Sequence, residues 1–239
     1  MQKNKIIIYG DLHGCLDEFI ALREKIQPSP DDREIVIGDI VDRGPHSNEL
    51  FRYVRENGIE SVLGNHEYRY LRYKRHNDIY LKTEKNNPMN FDERRLSLFN
   101  GFDEGDLEFL ESLPFFIKID NLTLLHAGIL NNIDLESAKK KDLEKLLWIR
   151  YLKDEKTPLA LGSEDESSTF WSELYDGKQG IIIYGHEAFK EVKVDTHSLG
   201  IDTGCVYGNR LTACIVSDTS DPMNNYELMS VASQKDSSL

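Results

Sequence analysis

Cysteine is scarce: three in 239 residues, at positions 15, 205 and 214. They make neither a CxxC pair nor a disulfide pattern, which excludes a disulfide-stapled secreted scaffold. Each is read as a small buried apolar residue. Long apolar runs are also missing, so no segment is expected to span a membrane. The basic start, MQKNKIIIYGDLHG, has an apolar stretch too short for a signal-peptide core. Positive charge is in deficit. Lys and Arg total 29 against 42 Asp and Glu, a net charge of −13, which argues against a broad basic surface for duplex nucleic acid. No repeat of solenoid period is visible. What remains is a reduced, cytoplasmic enzyme or binding protein. Apolar content of 39% and charged content of 30% suit a globular chain with a real core.

Strand and helix signals alternate through the first third. KIIIYG, EIVIGDI and ESVLGNHE read as strands. Between them, CLDEFIALREKI and SNELFRYVREN carry apolar residues at helical spacing, with Ser47 as N-cap and Gly58 as stop for the second. This order predicts a largely parallel sheet covered by helices. A charged, mostly helical stretch follows, at about 68–113. TLLHAGIL and GIIIYGHE read as further strands, and ESAKKKDLEKLLWIR as a helix. KDEKTPLALGSEDESST is polar and weakly periodic, a surface loop. LGIDTGCVYGNRLTACIV reads as strand, turn, strand. A last strand is expected at NYELMSVAS, within a flexible C-terminal tail from about 219. No linker divides the chain, so residues 1–239 are read as a single domain with the 68–113 segment as an insertion.

Five strand-like runs share an ending: IIIYGDLHG, IVIGDIVDRG, SVLGNHE, TLLHAG and IIIYGHE. Each puts a glycine beside a potential metal ligand. In open α/β sheets, ligands bind at the carboxyl ends of strands, and glycine lets backbone turn sharply there. Asp11, His13, Asp39, Asn65, His126 and His186 can therefore converge at one sheet edge. One Gly-Asp alone is usually a turn, and one histidine alone is usually structural; the ordered set is not explained that way. Three imidazoles, two carboxylates and an amide suit Mn, Fe, Zn or Co. Six groups exceed the ligand count of one catalytic zinc, so two divalent metals bridged by one carboxylate fit better.

GDLHG, GDIVDRG and GNHE, in this order, resemble the signature of the calcineurin-like metallophosphoesterases. More closely, they resemble the phosphoprotein phosphatase branch, which includes bacterial Ser/Thr phosphatases and diadenosine tetraphosphate hydrolases. LLHAG, LLWIR, YGHE and IDTGCVYGNRLTA extend the likeness over roughly residues 5 to 216. The resemblance implies an α/β fold: two mixed β-sheets packed as a sandwich and flanked by helices, four layers in the order α/β/β/α. It also implies roles. Asp11 and His13 would hold one metal, Asn65, His126 and His186 the other, and Asp39 would bridge. Asp42 would orient His66, and Arg43 and Arg150 would grip phosphate. Manganese is the foremost candidate metal.

A hydroxide held between two such metals would attack phosphorus in line, with arginines offsetting charge on the phosphoryl oxygens. His66 is the candidate acid for the leaving oxygen. Glu67 and Glu187 follow candidate ligands and either support them by hydrogen bonds or are plain solvated acids. The expected reaction is phosphomonoester hydrolysis on phosphoserine and phosphothreonine proteins. The alternative is hydrolysis of bis(5'-nucleosyl) tetraphosphates. Symmetrical tetraphosphatases often lack the aspartate of DRG, and this chain keeps it. Outside catalysis, a phosphate-binding regulatory module is the competing reading, weakened by the presence of His66, Asp42 and Arg43; a nuclease-type phosphodiesterase is less attractive still. Arg69 to Lys85 carries six cations against two anions. It is either a solvated helix face or a receptor for further anionic groups of the substrate. The expected partner is a phosphorylated protein or a phosphorylated small molecule or nucleotide, with no membrane and no duplex nucleic acid.

Overall fold

Four apolar residues in a row, Ile6–Tyr9, form β1, and all four are buried. They are buried on opposite faces. Ile6 and Ile8 point into one apolar cluster, Ile7 and Tyr9 into another, as the two-residue period of a strand requires. The same division runs through the computed structural model, which describes residues 4–235. After β1 come β2 (Arg33–Val36), β3 (Glu60–Ser61), β4 (Phe116–Ile119), β5 (Leu122–Leu125), β6 (Tyr151–Asp154) and β7 (Thr157–Pro158). Then follow β8 (Thr169–Phe170), β9 (Ile181–Tyr184), β10 (Lys193–Asp195), β11 (Ser198–Gly200), β12 (Arg210–Val216) and β13 (Tyr226–Ala232). The helices are α1 (Leu16–Ile26), α2 (Ser47–Glu56), α3 (Asn65–Thr83), α4 (Glu93–Asn100), α5 (Glu104–Ser112), α6 (Lys140–Leu146) and α7 (Trp171–Leu174).

Two five-stranded sheets result, ordered β13-β12-β1-β2-β3 and β10-β11-β9-β5-β4. β1, β2 and β3 are parallel, as are β5, β9 and β11. β12, β13, β4 and β10 are antiparallel additions. The strands of the first third are parallel as expected, and the two mixed sheets implied by the resemblance are present. Ile6, Ile8, Ile35 and Ile37 of the first meet Leu122, Leu124, Ile183 and Leu199 of the second in one buried cluster, the inside of a sandwich. The outer face of the first sheet is covered by Phe19, Leu22, Leu50, Phe51 and Val54 of α1 and α2. That of the second is covered by Leu146, Phe170 and Trp171. The layers are helix, sheet, sheet, helix.

Four local readings change. His46, not Ser47, is the N-cap of α2, and it makes no side-chain cap bond. The helix read through ESAKKKDLEKLLWIR is confined to Lys140–Leu146. The polar stretch after Arg150 is not all loop, because β7, β6 and β8 make a small third sheet. β11 and β12 do not form a hairpin. They belong to different sheets, and the chain crosses between them through a 3-10 turn at Cys205–Tyr207 flanked by left-handed Gly204 and Gly208. From 226 to 232 the chain pairs along β12. Among the described residues, no helix is long and apolar enough to cross a membrane, and all three cysteines are free and buried.

Candidate active site

β1, β2, β3, β5 and β9 all end at one edge of the sandwich. Asp11 and His13 follow β1, Asp39 follows β2, Asn65 and His66 open α3 after β3, His126 follows β5 and His186 follows β9. All seven are buried. Non-glycine residues with positive φ concentrate here: His13, Asp39, Asp42, Arg43 and His186, five of eight among the described residues. Such backbone costs on the order of 1–3 kcal/mol per residue and persists only where the surroundings hold it. Gly38 is also left-handed (φ +85), and a Cβ there would lie 2.7 Å from the Gly64 backbone. The loops after β2 and β3 touch at that point.

Asp39 lies at the centre. His13 Nε2 is 3.4 Å from its Oδ2 and His126 Nε2 is 3.4 Å from its Oδ1. The His66 amide donates to Oδ1 at 3.0 Å. His126 Nδ1 donates to the Ile37 carbonyl at 2.8 Å. Its Nε2 is therefore bare in the neutral ring, and it faces Asn65 Oδ1 at 2.9 Å and His186 Nδ1 at 3.1 Å. Lone pairs of Asp39, Asn65 and His126 meet with no proton to share between them. A cation fits such a donor set. His13 Nδ1 likewise donates to the Val41 carbonyl at 2.9 Å, which leaves its Nε2 as an acceptor 3.4 Å from Asp39 Oδ2. The donor atoms fall into two groups that share Asp39, one with His13 and His66, the other with His126 and His186, each within 4.8 Å. Asp11 stands 4.0 Å from His13 Nε2 and accepts the His186 amide at 3.1 Å.

Charge follows from this crowding. Burial raises the Asp39 carboxyl, but the His126, His66, His13 and His186 imidazoles outweigh it and hold the carboxyl low. Burial pushes His13 down to about 3 and also lowers His126 and His186. All three are neutral rings suited to ligation. His66 differs. Burial lowers it, yet Asp39 and Asp42 carry it above its ordinary value. Its Nδ1 donates to Asp42 Oδ2 at 2.6 Å, and the Tyr70 hydroxyl donates to Asp42 Oδ1. Asp42 is held down at about 2, because burial is outweighed by those two bonds. Asp42 thus does not pair with its neighbour Arg43. Arg43 donates instead to His13 Nε2 at 2.8 Å.

A hollow of about 510 Å³ opens over this cluster. Arg43, Arg69, Arg94, Arg95 and Arg150 line it against two acids, Asp42 and Asp92, and Trp148 and Leu161 give it apolar wall. Arg150 is anchored by Glu187, its Nε donating at 2.6 Å. A family model for the calcineurin-like phosphoesterases matches residues 4–218.

The chain belongs to the calcineurin-like phosphoesterases.

This phosphoesterase is a metal-dependent phosphoric ester hydrolase. It is 30% identical over 230 residues to a bis(5'-nucleosyl)-tetraphosphatase PrpE (asymmetrical) of Oceanobacillus iheyensis, covering 87% of each chain. A protein of the same name from Bacillus subtilis is 28% identical, covering 86% of this chain and 88% of that one. A solved structure described as a candidate diadenosine tetraphosphatase superposes with a TM-score of 0.75 at 24% identity, covering 98% of this chain and 96% of the other. A Saccharomyces cerevisiae serine/threonine phosphatase superposes at 0.60 and 19%, covering 99% and 82%. The two structures speak to fold alone.

All six candidate ligands and His66, Asp42, Arg43 and Arg150 come together in the phosphoesterase. Sequence reasoning missed Tyr70, Arg94, Arg95, Trp148 and Asp202. Asp202, in IDTG, is buried, which pushes it up to about 6. Tyr70 lies one helical turn past His66, a spacing that could have pointed to a shared partner. The arginines of α4 carry no signal in the sequence. The basic segment divides: Arg69 and Arg72 line hollows, whereas Lys74 pairs with Asp78 and Glu111, each at 3.0 Å.

Proposed function

We propose that this phosphoesterase hydrolyses bis(5'-nucleosyl) tetraphosphates asymmetrically, to a nucleoside monophosphate and a nucleoside triphosphate. The observation that carries it is the set of five arginines around one hollow in a chain of net charge −13. A single phosphate on serine needs about two such forks; five suit a chain of phosphates. The names of the sequence relatives favour the same reading. It therefore displaces the phosphoserine and phosphothreonine substrates first expected from the motifs, which become the second choice.

In this reading Asp11, His13, Asp39, Asn65, His126 and His186 would hold the divalent cations, with Asp39 common to both donor groups. Manganese comes first, with Fe, Zn and Co suited to the same donors. When bound, the pair supplies the Lewis acidity that turns water into a nucleophile near neutral pH. Arg43 and Arg150 orient the phosphoryl oxygens and offset charge as it develops. Glu187 keeps the Arg150 fork aimed. Asp42 fixes the proton on His66 Nδ1 and favours the charged ring. His66 Nε2 then gives its proton to the leaving oxygen. Tyr70 holds Asp42 from behind. The reading keeps the reduced, cytoplasmic setting suggested by three unpaired cysteines.

The test is side-by-side turnover of diadenosine tetraphosphate, a phosphoserine peptide and a phosphotyrosine peptide with Mn²⁺, then with chelator. AMP and ATP in equal amounts, and a kcat/KM above that of either peptide, are expected. A preference for a peptide, or turnover that survives chelation, overturns the proposal.

A further inference from the structure

The arginine-lined hollow does not end at its outer wall. A second hollow of about 400 Å³ adjoins it, lined by Tyr68, Arg72, Met89, Asn90 and Phe91. Arg69, Arg95 and Trp148 line both, so these three side chains form a doorway between them. Trp148 is 40% exposed, whereas the other tryptophan, Trp171, is 1% exposed in the core. The Arg69 guanidinium lies 6.0 Å from the Trp148 ring centre, and that of Arg72 lies 6.0 Å from the Tyr68 ring centre. Flat aromatic faces, a thioether and cations thus share one recess. That combination takes a planar base carrying phosphates. The small phosphoryl group of a monoester would leave it unused.

The doorway also adjoins the proton donor. Arg95 Nε and Arg69 reach to 3.6 and 4.0 Å of Asp42 Oδ2, the oxygen that accepts from His66. His66 itself lines the inner hollow together with Arg69, Arg95 and Trp148, so a group that takes the His66 proton has the doorway beside it.

We infer that the outer hollow is a nucleoside subsite for the leaving half of the substrate, its base stacked on Trp148 and its phosphates passing Arg69 and Arg95. The inference rests on the dinucleoside reading above. It also fixes which bond breaks. Two cations at the doorway, Arg69 and Arg95, with Arg72 beyond them in the recess, call for more than one phosphate, so the leaving half is the nucleoside triphosphate. Water oxygen bonds to the phosphorus nearest the other nucleoside. The bond from that phosphorus to the bridging oxygen breaks, and its electron pair and the His66 proton go to the triphosphate.

Three measurements test this. Hydrolysis of diadenosine tetraphosphate in ¹⁸O-water should put the label in AMP; label in ATP overturns the assignment of the leaving half. Trp148→Ala should lower the ratio of kcat/KM for diadenosine tetraphosphate over p-nitrophenyl phosphate by roughly 5- to 100-fold, and Trp148→Phe should recover most of it. An unchanged ratio in an enzyme that still prefers diadenosine tetraphosphate removes the subsite and leaves the function standing. No turnover of diadenosine tetraphosphate by the wild type removes both. Without any variant, ATP should quench wild-type tryptophan fluorescence where inorganic triphosphate does not; an equal response to both overturns stacking.

Discussion

Glu67 supports the site by hydrogen bonds, the first of its two readings in the sequence, and is not a plain solvated acid. It is fully buried. Its carboxylate accepts the amides of Asp39 at 2.7 Å, Ile40 at 2.9 Å and Val41 at 3.0 Å. That clamp holds the left-handed turn which presents Asp39, Asp42 and Arg43. Burial and the nearby Asp39 raise Glu67 to about 7. Glu67→Ala would strand three buried N–H groups at about 1–3 kcal/mol each. We predict a loss of roughly 3 kcal/mol or more in chemical denaturation and activity near background. The proton donor makes a different prediction. His66→Asn should cut kcat roughly 10²–10⁴-fold with little change in thermal stability, and Tyr70→Phe should cost far less, since Asp42 keeps its bond to His66. Stopped-flow or steady-state assays against melting curves separate the two. The pairing of Asp42 with His66 was readable because both lie in short motifs. The Glu67 clamp was not, because its three partners are backbone amides more than twenty residues upstream.

Strand ends are where most of the site could be read in advance. Each of the five apolar runs that stop at a glycine does end at the same edge, and each delivers its polar residue there. What could not be read is how little strand that takes: β3 is only Glu60–Ser61. The polar segment holding β7 hid its pairing because two residues show no alternation. β11 and β12 looked like a hairpin because turn chemistry is the same whether the chain reverses within a sheet or passes to another. The meeting of the β2 and β3 loops allows one more test. Gly38→Ala places a Cβ against the Gly64 backbone at a left-handed position, where sterics alone cost about 1–2 kcal/mol. A lower melting temperature and loss of turnover are expected together. An alanine variant with wild-type activity would mean that the two loops have room to part.

The two halves of the candidate metal cluster come from different sheets. Asp11, Asp39 and Asn65 follow strands of the first, and His126 and His186 follow strands of the second. We propose that residues 1–239 behave as one cooperative domain for this reason, with cations holding the seam shut. Ligand present at about a hundred times its Kd adds about 2.7 kcal/mol, or roughly 5–10 °C in Tm for a chain of this size. A single calorimetric transition is expected, lowered by that amount on chelation. Asp39→Asn should lower turnover by more than roughly a hundredfold and abolish the response to chelator. Two separate transitions would overturn the one-domain proposal.

The register of β1 carries a consequence for synthesis. Its neighbours are β2 on one side and β12 on the other, with Ile8 opposite Cys214. On a ribosome, the strand that leads into the first candidate ligand emerges long before its partner β12. Until then it presents a bare apolar flank, and His186 has yet to be translated for most of that interval. A nascent or prematurely terminated polypeptide holding every N-terminal motif intact would therefore be inert and prone to stick to its own kind.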